Sequence, residues 1–92
     1  MKEIERVQTG VRMEKRMLLL LKALAGALGL TFGDLLEGIV LHAFEGKAPF
    51  EKATLAKIAE LKKVFGLDLD ARHAHRLKEG APTPRQSHGR ER

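Results

Sequence analysis

From Arg6 to Met13 the chain reads Arg-Val-Gln-Thr-Gly-Val-Arg-Met, so Val7, Thr9, Val11 and Met13 alternate with Arg6, Gln8, Gly10 and Arg12. Period two over eight residues is a strand signal, with one face apolar and the other polar. Gly10 weakens the strand and marks a place where another backbone can come close. A lone strand of this length cannot stand in water, and no second stretch with this period occurs in the 92 residues. The sequence therefore predicts a homodimer in which strands from two chains pair antiparallel about a two-fold axis.

The rest of the pattern is helical. From about Glu14 to Leu28 strong helix formers place Met17, Leu20, Leu21, Leu24, Ala25 and Leu28 in one stripe, and Gly29 is positioned as the left-handed cap. Thr31, with Asp34 three residues on, is a variant of the capping box that opens a second helix to about Glu45. Its stripe is Leu35, Leu36, Ile39, Val40, Ala43 and Phe44, and Gly46 and Pro49 stop it. A third helix is expected from about Phe50 to Phe65, ended by Gly66, with a short helical turn within 67–79. From Gly80 onward no apolar periodicity remains, which predicts a disordered basic tail. The domain reading is 1–46 as the dimerising core, 47–79 as a helical extension and 80–92 as the tail.

Charge narrows the partners. Seventeen Lys and Arg against twelve Asp and Glu leave +5, which fits a polyanion and equally fits a solvated basic surface. The apolar centre, 17–46, holds one basic and three acidic residues, so the excess lies on the flanks. With no Trp or Tyr and four Phe, a base-stacking platform for single strands is hard to build, and duplex DNA is the better fit. Lys15-Arg16 before Met17-Leu18-Leu19-Leu20-Leu21 imitates a signal peptide, but Glu3, Glu5 and Glu14 stand in the would-be positive region and Lys22 breaks the apolar run. No segment approaches the ~20 apolar residues of a membrane span. The expectation is a cytoplasmic protein that does not engage a membrane.

Enzyme chemistry finds no constellation. Cysteine is absent, Ser87 is the sole serine, and Gly26 to Gly33 lacks the lysine of a phosphate-binding loop. Asp68 and Asp70 have no apolar enclosure that the sequence suggests. His42, His73, His75 and His88 do not converge by spacing, and His73 and His75 point about 200° apart on a helix. No metal, no cofactor and no catalysis are expected.

Gly29-Leu30-Thr31-Phe32-Gly33-Asp34-Leu35-Leu36, with the basic alternating stretch upstream, resembles the ribbon-helix-helix family of dimeric DNA-binding proteins over residues 6–46. The turn of that family has Gly, an apolar residue, Ser or Thr, two variable positions, an acidic residue and two apolar ones. The resemblance implies a mainly α fold: one N-terminal strand paired across a homodimer, two core helices, then a C-terminal third helix and tail. It further implies a two-stranded ribbon in the major groove of duplex DNA, repression of transcription, and base reading by Gln8, Gly10 and Arg12 with Arg6 on the same face. Thr31, Phe32 and Gly33, with Lys15, would contact phosphate. Val11, Met13, Leu20, Leu21, Leu24, Leu36, Ile39 and Val40 would form the dimer core. Two positions depart from the family pattern: Gly10 has no side chain to read with, and Phe32 stands where a polar residue is common.

By chemistry, Arg12 suits guanine O6 and N7, and Gln8 suits adenine N6 and N7. Leu55, Ile58, Leu61 and Phe65 on the third helix have two readings, either packing back on the core or projecting as anchors for a partner protein, as in the antitoxins of the family. A protein-interaction module is thus the rival function, and assembly beyond the dimer on DNA stays open.

Overall fold

A computed structural model describes residues 2–80. Three α-helices follow an extended arm: α1 (Lys15–Leu28), α2 (Phe32–Phe44) and α3 (Lys52–Phe65), with a 3-10 turn at Ala71–His73. The expected tail lies almost wholly outside the described residues.

The helix ends form where local chemistry dictates. The Glu14 carboxylate accepts the Met17 amide at 2.9 Å and caps α1. Gly29 closes α1 with φ +71°, a left-handed conformation that costs any residue with a Cβ about 1–2 kcal/mol. Gly66 does the same for α3 at φ +65°. Thr31 caps α2, its hydroxyl accepting the Asp34 amide at 3.1 Å, and Asp34 in the first turn faces the positive helix end. Thr31→Ala is expected to cost about 1 kcal/mol, read as a lower midpoint in denaturant with an unchanged slope.

α1 is the hub, packed against both α2 and α3. Leu20, Leu24, Ala25, Leu35 and Leu67 make the buried core, and among the described residues Leu24 alone is completely enclosed. Met17, Leu21, Ile39, Phe50, Ile58, Leu61, Phe65 and Leu69 pack around it half-buried. Arg16 ties the end of α3 to the start of α1: its guanidinium donates to the Gly66 carbonyl at 2.8 Å and to Glu14 at 3.0 Å, and lies 3.4 Å from Asp68. α3 therefore lies along α1 rather than projecting.

The ribbon-helix-helix expectation is overturned. That fold requires an N-terminal β-strand, and the described residues contain three helices and no strand. Residues 6–13 are extended but enter no ladder, because the described residues hold no strand for them to bond with. Their backbone groups are left to water, and Val7 and Val11 are 77% and 74% exposed. The proposed dimer core changes accordingly. Leu20 and Leu24 are buried within one chain, Met13, Leu21, Leu36 and Ile39 are half-buried, and Val11 and Val40 are exposed.

Among the described residues no single helix is long and apolar enough to cross a membrane. α1 and α2 would reach that length only together, and they are bent 98° apart.

Candidate nucleic-acid interface

The arm does not hang free. Arg6 forks onto Glu37 of α2, with Nε and Nη2 each donating at 2.9 Å to a different carboxylate oxygen. This lays Ile4 to Thr9 beside the N-terminal turn of α2. Between them runs an open groove of about 660 Å³ bordered by Arg6, Val7, Thr9, Thr31, Gly33 and Asp34, among others. Arg6, expected to read bases, and Thr31 and Gly33, expected to hold a phosphate, thus border one concavity. Gln8 is exposed on the arm but is not part of the groove wall.

At the α2 N-terminus the Asp34 amide is taken by the Thr31 hydroxyl and the Leu35 amide by the Thr31 carbonyl at 3.0 Å. The amides of Phe32 and Gly33 precede any carbonyl that could accept them within the helix, so they face outward as donors. The Lys22 ammonium stands 6.0 Å from the centre of the Phe32 ring, which adds a cation beside those donors. Phe32 itself is half-buried and offers its backbone rather than its side chain. Lys15 is exposed at the first turn of α1. Asp34 and Glu37 set a limit on this site: their charge opposes a phosphate, and only that of Glu37 is offset, by Arg6.

Arg12 is held as well, by Glu79 from the far end of the described chain. Both partners are mostly exposed, which keeps the pair weak and open to competition from another anion. No atom lies within 4 Å of where a Cβ on Gly10 would sit, so its own chain does not crowd that position.

Glu37 and Glu79 escape sequence reading because they lie 31 and 67 residues from the arginines they bind, and no periodicity connects such pairs. The α3 candidates divide: Ile58, Leu61 and Phe65 pack on the core, while Leu55 is 52% exposed. His42 is oriented by its own helix, its Nδ1 lying 2.7 Å from the Gly38 carbonyl one turn back. Among the described residues no cluster of three metal-ligating side chains occurs. Asp70 and His73 serve the 3-10 turn: Asp70 accepts the Arg72 amide at 3.0 Å, and His73 Nδ1 accepts the Asp70 amide at 3.0 Å.

No family model matches this chain, and neither a curated protein nor a solved structure is significantly similar to it.

The Arg6 hydrogen bonds hold the Glu37 carboxyl below its ordinary value. A carboxylate depressed in the folded chain contributes its interaction above the unfolded value and loses it as pH falls through the folded one. The arm is thus expected to stay against α2 at pH 5 and to come away well below about 4.3, the ordinary glutamate value. Amide exchange or chemical shifts of residues 4–9 against pH would show it. In Glu37→Ala this pH dependence should disappear, since the group that titrates against Arg6 is gone.

Proposed function

We propose that the chain binds duplex DNA with a sequence preference, as a regulator of transcription in the cytoplasm. The observation that carries this reading is the arm: residues 2–12 are extended and exposed, and the part around Arg6 shares a groove with the α2 N-terminus. An extended peptide is narrow enough to enter a groove of B-DNA, where Arg12 and Gln8 have the donor geometry for guanine and adenine edges. The Phe32 and Gly33 amides with Lys22 suit a backbone phosphate, which would fix the register of the arm without carrying sequence information. Lysines and arginines on the flanks add affinity that falls with salt.

In the unbound chain Arg6 and Arg12 are paired with carboxylates. DNA phosphates or base edges must displace Glu37 and Glu79, an exchange that exposed ion pairs permit at little cost. The rival reading, a partner protein on α3, has less to work with, since three of its four expected anchors are spent on the chain's own core.

Selection of the full chain against a pool of random duplexes tests the proposal. Enrichment of a defined sequence, lost when Arg6, Gln8 and Arg12 are all replaced by alanine, is the expected result. A pool that stays random through successive rounds would overturn the sequence preference.

A further inference from the structure

α2 and α3 each pack on α1, but among the described residues they do not pack on each other. The opening between them is a cleft of about 440 Å³, within the ~300–1,000 Å³ usual for a small-molecule site. Leu35, Ile39 and Phe50 line it from the core side, and Leu28 and Leu30, 41% and 42% exposed, leave apolar surface bare beside them. Gly38 also borders the cleft. Glycine in the middle of a helix weakens the helix, yet no atom lies within 4 Å of where a Cβ on Gly38 would sit, so the packing of the chain does not ask for it. What the missing side chain leaves open is the cleft.

The charge of the lining has one sign. In a chain of net charge +5, the cleft is bordered by the carboxylates Asp34 and Glu51 and by no lysine or arginine. Neither carboxylate takes part in an ion pair among the described residues, and Glu51 makes no side-chain capping bond to α3. His42 on the same wall adds an acceptor. Its Nδ1–H donates to the Gly38 carbonyl, which leaves the Nε2 of the neutral ring with its lone pair. We propose that this cleft binds a small primary amine with an apolar body, the ammonium drawn to Asp34 and Glu51 and the body covering Leu28 and Leu30. An ammonium carries donors only, and the cleft offers it acceptors. An organic acid or a phosphate ester would meet two like charges instead.

This inference does not rest on DNA binding. Asp34 also borders the groove beside the arm, whereas Gly38 and Glu51 do not, so the variants that test the cleft are placed at the latter two. Amide chemical shifts of the full chain are followed as phenethylamine or hexylamine is added. Saturable shifts around the cleft, with half-saturation near or below about 1 mM, are expected for at least one of the two amines. Phenethyl alcohol, the same body without the charge, should bind at least about 10-fold more weakly than its amine, the scale of one charge-assisted hydrogen bond. Hydrocinnamate, an anion with a similar body, should give no saturable shift. Gly38→Leu should fill the cleft, keep or raise the melting midpoint and abolish the amine response, and Glu51→Gln should keep the fold and weaken the amine. Failure of both amines to saturate by about 10 mM would overturn the proposal, and so would an alcohol that binds as tightly as its amine. An amine response that survives in folded Gly38→Leu would overturn it too. Should that variant fail to fold, the comparison of amine with alcohol on the wild-type chain decides alone.

Discussion

Leu24→Ala is expected to abolish cooperative unfolding at room temperature or to lower the melting midpoint by more than about 12 °C. Among the described residues Leu24 is the one completely enclosed side chain, lying where α1 meets the rest of the core. Truncating a buried leucine costs about 3–5 kcal/mol when the cavity cannot collapse. Against a total of about 5–15 kcal/mol for a typical domain, and a core of five enclosed residues among those described, that loss is a large share of what is available. The comparison is Val64→Ala on α3, 72% exposed, which should move the midpoint by about 0.5 kcal/mol or less. Far-UV circular dichroism through a thermal or denaturant ramp reads both. Equal midpoints for the two variants would mean that α1 is not the hub of the fold.

Arg12→Ala is expected to leave the fold intact and to reduce preference for the selected duplex over a random one by about 5- to 150-fold, the ~1–3 kcal/mol of a bidentate arginine–guanine contact. Its present partner, Glu79, is mostly exposed, so losing the pair costs the fold little. The pattern of loss distinguishes roles. A base contact relaxes the preference at one position of the site, whereas a phosphate contact weakens all duplexes alike and lowers the salt slope by about 1. Glu79→Ala should act in the opposite direction, tightening binding by removing the carboxylate that competes for the guanidinium. Competition with unlabelled duplexes checks both variants. A site preference identical in wild type and Arg12→Ala would remove this arginine from the reading face.

The features that could be read from the sequence are those set by neighbours a few residues apart. Thr31 and Asp34 announce the start of α2, and Gly29 and Gly66 announce the ends of α1 and α3, because caps are local chemistry. The core stripe of α1 was equally legible in Leu20, Leu24 and Ala25, which a 3.6-residue period sets on one face. The arm misled because alternation reports an extended backbone, whereas a strand also needs a ladder partner, and partners are not written in period two. The position of α3 was ambiguous for a related reason. Leu55 and Val64 are apolar yet exposed, while Ile58, Leu61 and Phe65 are drawn onto α1. The salt links Arg6–Glu37 and Arg12–Glu79, which now define how the candidate interface rests in the free chain, join residues that only the fold brings together.

The central claim is that the exposed arm of this chain grips duplex DNA. Its most direct test is the affinity of the full chain for a duplex between about 50 and 200 mM salt, compared with a chain in which Arg6 and Arg12 are alanine. The account predicts a steep, linear fall of log K with log salt, slope about −0.9 for each phosphate neutralised, with both affinity and slope reduced in the double variant. Absence of duplex binding at 50 mM salt and ~100 μM chain, where even nonspecific binders associate, would contradict it, and so would a double variant that binds with the wild-type affinity and slope.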